Sequence, residues 1–332
     1  MLTCPNCANN NIKRYRNYEI PVPDDGQVFH LDRCPNCRLV FTSPKPRPEL
    51  LARLYSDKGY YSYQKFHIPQ DDQATSFKKR VKRWLKAAVI DHYYGYGKQN
   101  EDFKSNICQK MIGLAVKGLV KDDVVYGKRI ITYVKNGKHL DIGCGSGGFV
   151  YWMSGKGWDS CGIELNREAV EIARELNLNV KESDLETAGY HENYFDLITA
   201  WEVLEHIPDL KQFLSEVRRI LKPGGKFSGS VPNIVSWEAL LFGKDWQPLE
   251  IPYHLYHFSP ESLRSVLEGS GLKLERMEFL KITHSWDASL EKKYGQDSRL
   301  LPFLRLLGRT FYLLSNIFGY GARLKFVAVK QN

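Results

Sequence analysis

Two copies of one tetrapeptide, Cys-Pro-Asn-Cys, lie near the start of the chain at residues 4–7 and 34–37. Each tight turn presents two thiolates, and four thiolates complete the tetrahedral shell of a structural Zn²⁺ with no position open for substrate. Because the pair is repeated in a chain of seven cysteines, metal ligation in a reducing compartment is favoured over a disulfide framework. The sequence therefore predicts one zinc ion held by Cys4, Cys7, Cys34 and Cys37.

A second group of chemically useful residues is the glycine-rich segment 140–149, Leu-Asp-Ile-Gly-Cys-Gly-Ser-Gly-Gly-Phe. Its pattern predicts a strand, a turn and a helix, and glycine at Gly143 and Gly145 lets the backbone approach a ligand closely. The helix N-terminus would offer N–H groups to an anion such as the carboxylate of a methionine moiety. With Gly148 and Glu164, however, the same glycines also satisfy the fingerprint of a nicotinamide dinucleotide site.

Carboxylates around this segment favour S-adenosylmethionine over the dinucleotide. Asp141 lies inside the end of the strand, where it can face an amino group, and a pyrophosphate has no need of it. Asp184 follows a later strand, where it would meet the adenine amino group if Glu164 holds the ribose hydroxyls of the same ligand. The predicted cofactor-binding residues are Asp141, Gly143, Gly145, Glu164, Asp184, Leu185 and Trp201.

Taken in order, these motifs resemble those of the class I methyltransferases. The glycine turn, Glu164 and Asp184 are followed by Trp-Glu-Val-Leu-Glu-His at 201–206 and Leu-Lys-Pro-Gly-Gly at 221–225, all within residues 138–280. The resemblance implies S-adenosylmethionine as the cofactor. It also implies an α/β fold with a doubly wound, seven-stranded, mostly parallel sheet whose last strand runs antiparallel.

The elements needed to position these residues can be read from the chain itself. From residue 139 short apolar strands alternate with helices, which is typical of a parallel sheet with helical crossovers. Asn166 and Ser259 are suitable N-caps for two of the helices. The predicted strands are 139–142, 160–163, 179–182, 195–200, 226–231, 272–279 and 324–330.

Composition divides the 332 residues into three predicted parts. Residues 1–45 form the zinc-binding knob, which resembles a zinc ribbon. Residues 46–136 begin as a proline-rich linker and continue as a helical lid that includes a basic helix at 77–89. Residues 137–332 form the methyltransferase domain. No stretch is apolar enough to span a bilayer, so a cytoplasmic location is expected, with the inner face of the membrane as one place of action.

Candidate catalytic residues follow the fourth and fifth strands of the core. Methyl transfer is a direct displacement that needs alignment, and a hydroxyl acceptor must also lose its proton. His206, His254 and His257 are the predicted catalytic residues. If Glu202 begins a helical turn, it shares a face with Glu205 and His206, and the three could hold a divalent ion such as Mg²⁺.

The resemblance extends to that last segment. Ubiquinone-pathway O-methyltransferases have a similar Glu-Val-Leu-Glu-His stretch, which implies a metal there, whereas many class I enzymes have the same residues without one. The sequence favours the metal-free alternative, with His206 as a base or a lining residue.

The zinc knob, a Pro-Arg-Pro linker and Tyr60-Tyr61 before the core resemble bacterial methyltransferases of sugar and surface-polysaccharide biosynthesis. This implies O-methylation of a sugar, a nucleotide-linked sugar or a lipid-linked glycan. A net charge of +9 favours anionic partners in general. One alternative is an RNA methyltransferase, but the only basic cluster on the knob is 13–16. Another is a silent binding subunit, which the complete acidic set disfavours.

The segment 300–319 is rich in leucine and phenylalanine and contains Arg305 and Arg309. A helix packed on its own core or on a dimer partner is the favoured interpretation, because an apolar helical stripe usually faces a core. The alternative is a helix at a membrane surface that brings the enzyme to a lipid-linked substrate.

Overall fold

The computed structural model describes residues 2–22, 26–56, 94, 96, 131–280 and 284–331, and helices are numbered within those residues. The predicted basic helix 77–89, the Tyr60-Tyr61 segment and most of the predicted lid lie outside them. The strands are β1 (Lys13–Arg14), β2 (Ile20–Pro21), β3 (Val28–Arg33), β4 (Val40–Ser43), β5 (Lys138–Ile142), β6 (Asp159–Glu164), β7 (Val180–Glu182), β8 (Phe195–Trp201), β9 (Leu221–Pro232), β10 (Tyr256–His257), β11 (Leu272–Leu280) and β12 (Arg323–Lys330). The helices are α1 (Pro48–Ser56), α2 (Gly148–Ser154), α3 (Arg167–Glu175), α4 (Leu210–Ile220), α5 (Trp237–Phe242), α6 (Pro260–Gly269), α7 (His284–Tyr294) and α8 (Leu301–Ile317).

The predicted seven-stranded sheet is confirmed, with the strand order β11-β12-β9-β8-β5-β6-β7. β5, β6 and β7 pair in parallel, whereas β12 runs antiparallel to both of its neighbours. Each of the seven predicted strands is present. β9 differs most from its predicted range of 226–231, because it starts at Leu221 and so includes Gly224 and Gly225. Gly224 has a φ of 74°, so the chain bends within the strand at a residue that tolerates this conformation.

Both predicted helix caps are confirmed. The Asn166 side chain accepts a hydrogen bond of 2.8 Å from the N–H of Ala169 at the start of α3. Ser259 and Ser262 satisfy each other's backbone N–H groups at the start of α6, which is a reciprocal capping box. Such caps stabilise a helix end by about 1 kcal/mol. They fix where the crossover helices begin, and so where the strand ends and their loops lie.

The chain forms two compact units. The first comprises the described residues of 1–60, Gly189–Asn193 and the described residues of 199–332, and the second comprises the described residues of 61–188 together with Tyr194–Ile198. In the second unit, Cys144 packs with Val150, Val170, Ala173 and Val180.

In the first unit, the N-terminal sheet is completed by a strand from far along the chain. Its order is β1-β3-β4-β10, with β2 on β3, and Tyr256 of β10 pairs with Phe41 of β4. Leu31 and Val40 of this sheet are buried with Trp246 and Ile234 in one apolar cluster. A segment of about 45 residues buries too little apolar surface to be stable alone without a staple such as a metal. The contacts with residues 234–257 provide that burial here.

Among the described residues, no helix is both long and apolar enough to cross a bilayer.

Candidate active site and zinc cluster

The structure brings the four predicted zinc ligands together. The Sγ atoms of Cys4 and Cys37 lie 3.4 Å apart, those of Cys7 and Cys34 lie 3.5 Å apart, and all four are within 4.8 Å of one another. Tetrahedral ligands at about 2.3 Å from zinc would be about 3.8 Å apart, so the cluster has the size of a zinc shell. A hydrogen bond from Cys4 lowers the pKa of the Cys37 thiol to about 4, which favours a thiolate there, and the same contact raises the pKa of the Cys4 thiol.

The repeated tetrapeptides have the same backbone geometry. The N–H of Cys4 donates to the carbonyl of Asn9, and the N–H of Cys34 donates to the carbonyl of Leu39, which is the same spacing. The residue after each second cysteine is left-handed, with a φ of 56° at Ala8 and 62° at Arg38. The two turns are therefore structural repeats.

The predicted strand, turn and helix around the glycine-rich segment are confirmed. β5 ends at Ile142, α2 begins at Gly148, and the turn between them has left-handed glycines, with φ of 66° at Gly143 and 54° at Gly145. The N–H groups of Gly143 and Cys144 both donate to the carbonyl of Ile163 in β6. This anchors the turn at the carboxyl end of β6.

The carboxylate of Glu164 is fixed beside that turn. Its Oε2 accepts a hydrogen bond of 2.9 Å from the N–H of Gly145, and its Oε1 accepts from the N–H groups of Leu165 and Asn166. Asp141 is buried in β5. Burial raises the pKa of the Cys144 thiol within the turn, and the charges of Asp141 and Glu164 raise it further. Two carboxylates therefore lie close to the turn.

The remaining predicted cofactor residues lie after two other strands. The carbonyl of Glu164 accepts from the N–H of Ser183, so the residues after β7 start next to the end of β6. There Asp184 is exposed and accepts a hydrogen bond of 2.7 Å from the N–H of Thr187, while Leu185 is buried. Trp201 is a buried residue at the end of β8.

Two of the predicted catalytic histidines are in contact. The rings of His206 and His254 cross edge to face with their centroids 4.6 Å apart, and His257 lies 6.5 Å from His254. Burial lowers the pKa of His257 to about 3 and that of His206 well below its usual range, with the charge of His254 adding to the effect. His206 and His257 are therefore neutral at neutral pH.

Backbone carbonyls determine which ring nitrogen carries the proton in two of these histidines. Nδ1 of His206 lies 3.2 Å from the carbonyl of Tyr253, and Nδ1 of His254 lies 2.8 Å from that of Pro248. A carbonyl can only accept a hydrogen bond, so Nδ1 is the donor in both rings. When a ring of this tautomer is neutral, its lone pair is on Nε2.

His257 is held differently, because it belongs to β10. The Thr42 hydroxyl donates to the carbonyl of His254 at 2.7 Å, and Nε2 of His257 lies 3.1 Å from the same hydroxyl oxygen. The hydroxyl proton of Thr42 is used in the hydrogen bond to the carbonyl. The hydroxyl oxygen therefore accepts the hydrogen bond from Nε2–H of His257. The ring ties the loop before β10 to β4.

Glu202 does not begin a helical turn, so this expectation is wrong. The residue is left-handed with a φ of 57°, and the short 3-10 turn that follows covers Leu204–His206. Its carboxylate accepts a hydrogen bond of 2.6 Å from the Ser230 hydroxyl and lies 2.6 Å from the Arg323 guanidinium. These contacts in β9 and β12 satisfy Glu202 away from the other predicted ligands.

The group that does converge is Glu205, His206 and His254, whose ligand atoms lie within 4.8 Å of one another. Glu205 is fully buried, and neither of its carboxylate oxygens has a hydrogen-bond partner among the described residues. Burial raises the pKa of this carboxyl well above its usual range, and the charge of Glu202 raises it further. A buried carboxylate without a partner is costly unless a proton or another cation satisfies it.

Three residues of this region were not predicted from the sequence, and they are Arg323, Thr42 and Glu250. Oε2 of Glu250 lies 3.2 Å from Nε2 of His254, four residues later in the chain. The separation of four residues between Glu250 and His254 could have been noticed in the sequence. No local pattern marks Arg323 or Thr42, because each side chain reaches this region from a strand that is distant in the sequence.

Residues 128–276 match the family described as "Methyltransferase domain". Among curated proteins, the chain is 28% identical over 151 residues to the ubiquinone biosynthesis O-methyltransferase of Coxiella burnetii, over 42% of this chain and 64% of that protein. It is 31% identical to the ubiquinone biosynthesis O-methyltransferase of Thiobacillus denitrificans, over 42% of this chain and 66% of that protein. The chain thus spans less than two thirds of the length of these relatives. A solved methyltransferase from Methanosarcina mazei is 18% identical over 63% of this chain and 99% of its own, with a TM-score of 0.44.

Proposed function

We propose that this protein, whose residues 128–276 form a class I methyltransferase domain, transfers a methyl group from S-adenosylmethionine to an oxygen atom of its substrate. The observation that carries the proposal is the Glu164 carboxylate, held by the N–H of Gly145 at 2.9 Å beside a left-handed glycine turn. The relatives named as O-methyltransferases support oxygen as the acceptor.

The charge around the turn supports this cofactor over a dinucleotide. Asp141 and Glu164 both act on the Cys144 thiol, so two carboxylates lie close to the turn. S-adenosylmethionine carries a sulfonium and an ammonium group, which these carboxylates attract, whereas they repel a pyrophosphate. In this proposal Asp141 and the turn hold the methionine end, Glu164 the ribose hydroxyls and Asp184 the adenine edge.

Calorimetric titration separates these two cofactors. We expect the purified protein to bind S-adenosylmethionine, and not NADH at equal concentration. Absence of binding to S-adenosylmethionine would refute the proposal and would favour a silent binding subunit.

The acceptor hydroxyl needs a group that takes its proton as the displacement proceeds. His206 supports this role, because it donates Nδ1–H to a carbonyl and its neutral ring keeps a lone pair on Nε2. His257 supports a positioning role, because its Nε2 is engaged with Thr42. In this proposal His257 holds the loop that carries His254.

The same residues fit a metal ion, which is the second part of the proposal. Glu205 would supply an unpartnered carboxylate, and His206 and His254 would supply Nε2 atoms whose rings are oriented by backbone carbonyls, as is usual for metal-binding histidines. Nε2 of His254 also lies 3.2 Å from Oε2 of Glu250, a contact that needs either a proton or a cation between the two atoms. Two imidazoles and a carboxylate favour a transition-metal ion over Mg²⁺, which prefers oxygen ligands. When bound, such an ion would acidify the acceptor hydroxyl.

The cysteine cluster has a different role in the proposal. Four thiolates would close the zinc shell, so the ion would stabilise the N-terminal sheet and take no part in the reaction. Since β10 belongs to that sheet, the zinc would also hold the strand that includes His257.

The acceptor we propose is a hydroxyl of a sugar, a nucleotide-linked sugar or a lipid-linked glycan. The likeness of the knob, linker and core to bacterial sugar methyltransferases supports it. A methyl-transfer screen against nucleotide sugars and glycan precursors, with RNA as the competing class, tests it. Transfer only to RNA, together with salt-sensitive retention of RNA, would favour the alternative function.

A further inference from the structure

The helix α8 has two apolar sides, and only one of them is covered. On the inner side, Leu301 is buried and the indole N–H of Trp286 donates to the carbonyl of Leu304. The rings of Trp286 and Phe311 lie 4.9 Å apart. A side chain at Gly308 would collide with Trp286, since a Cβ there would lie 2.3 Å from its Nε1. This side meets the expectation of a helix packed on its own core.

The other side is an exposed stripe, which consists of Phe303, Leu306, Leu307, Leu314 and Ile317. These side chains are between 41% and 66% exposed. At about 100° per residue they fall within an arc of about 100° around the helix axis. Core packing explains the inner side but leaves the stripe in contact with water, at a cost of about 25 cal/mol for each Å² of apolar surface.

Aromatic residues continue the stripe at its C-terminal end. Phe318 is 61% exposed and Tyr320 is 44% exposed, and both rings stack on Trp237 with centroids 5.7 Å away. Tryptophan and tyrosine are enriched at the level of lipid headgroups, because their rings are apolar and their polar atoms can reach water.

The charges of the helix suit an anionic surface. Leu301–Ile317 contains two arginines and no acidic residue. Arg305 pairs with Glu291 and Asp287, and α7, which packs against α8, has Lys292 and Lys293 in its last turn. The helix sequence therefore has a net positive charge, which strengthens binding to anionic lipids.

The area of the stripe argues against a second copy of this chain as the occupant. A helix of 17 residues is about 26 Å long and about 10 Å wide, so the stripe presents about 260 Å². A stable dimer interface buries about 800 Å² on each partner. A membrane surface has no such threshold, because a helix can enter the headgroup layer along its whole length.

We propose that the exposed stripe of α8 docks on the surface of a bilayer with anionic headgroups. The helix lies in the plane of the interface, with Phe303, Leu306 and Ile317 toward the acyl chains and Trp237 and Tyr320 at the headgroup level. This contact is peripheral and reversible, and it goes beyond methyl transfer itself.

Flotation with vesicles tests the proposal on the full-length protein. We expect the wild type to float with vesicles of equal parts phosphatidylglycerol and phosphatidylcholine at low salt, and to float less with phosphatidylcholine alone. The double variant Leu306→Glu with Ile317→Glu should lower the bound fraction at least about tenfold, because two apolar contacts are replaced by charges. Leu165→Glu is the matched control, since Leu165 is 72% exposed and lies outside the stripe.

Three outcomes would overturn the proposal. The first is absence of wild-type flotation with anionic vesicles at low salt. The second is equal flotation of the wild type and the double variant, which would assign the membrane contact to another part of the chain. The third is a wild-type dimer in light scattering that the double variant converts to a monomer without any vesicle binding, which would make the stripe an interface between copies. Circular dichroism of the double variant confirms that the chain is folded.

Discussion

Glu202 and Arg323 form an ion pair of 2.6 Å between the end of β8 and the start of β12, two segments far apart in the chain. Both side chains are largely buried, and the Ser230 hydroxyl donates to the same carboxylate. Both charges act on the buried Glu205 carboxyl, because Glu202 raises its pKa and Arg323 lowers it. The pair explains why the two acids of the Glu-Val-Leu-Glu-His segment have different surroundings.

The first prediction concerns this pair. Arg323→Met leaves the Glu202 charge without its partner, so the free energy of unfolding should fall by about 1 to 3 kcal/mol, as measured by urea denaturation. Adding Glu202→Gln to that variant should restore part of the loss, because the unpaired charge is removed. If the double variant is as unstable as the sum of the two single variants, the ion pair is not the source of the effect.

The second prediction concerns the cofactor. Glu164→Ala should weaken binding of S-adenosylmethionine by about 1 to 3 kcal/mol, because a charged hydrogen-bond acceptor for the ribose is lost. Calorimetry measures the affinity. Glu182→Ala, an exposed acid at the end of β7, is the control and should bind as the wild type does. Wild-type affinity in Glu164→Ala would show that the ribose is held elsewhere.

The third prediction concerns the zinc cluster. Metal analysis of untreated protein should find about one zinc per chain in the cysteine cluster, and Cys34→Ser should lose it together with thermal stability. Cys161→Ser is the control, because Cys161 lies outside the cluster. A disulfide between these cysteines in freshly reduced, metal-replete protein would contradict the assignment.

The fourth prediction separates the histidines. His206→Ala and His254→Ala should leave cofactor affinity unchanged and lower turnover by about 100-fold or more, the usual contribution of a positioned base. If a transition-metal ion is bound, Glu205→Gln should remove it without affecting the zinc of the cysteine cluster. Full activity of both histidine variants with the true acceptor would exclude histidine base catalysis here.

The fifth prediction is a dependence of stability on pH. His257 has a folded pKa of about 3 and an ordinary value of 6.5, so the unfolded chain binds more protons between these values. Its contribution to stability is therefore present above pH 6.5 and is lost as the pH falls toward 3, by up to about 1.4 kcal/mol per pH unit. His257→Gln should reduce the slope of the unfolding free energy between pH 6.5 and 5. The exposed His191→Gln is the control, and an unchanged slope in His257→Gln would contradict the burial argument.

Much of the fold follows from the sequence alone, because its signals are local. The cysteine turns, the glycine turn after β5 and the caps at Asn166 and Ser259 each depend on residues a few positions apart. Strand alternation together with family order was sufficient for the seven-stranded sheet and its antiparallel β12. The cofactor residues could be proposed for the same reason, since Glu164 lies at the end of a predicted strand beside the turn.

The tertiary structure decided what depends on distant parts of the chain. Pairing of β10 with β4 joins the N-terminal sheet to residues 234–257, and no local sequence pattern predicts that pairing. The ion pair of Glu202 with Arg323 overrides the helical turn that the spacing of Glu202 suggested. His254, rather than Glu202, joins Glu205 and His206, because the loop that carries it is tied to Pro248, Glu250 and Thr42. A periodicity of 3.6 residues describes neighbours within one helix, whereas these contacts arise only when separate strands and loops pack together.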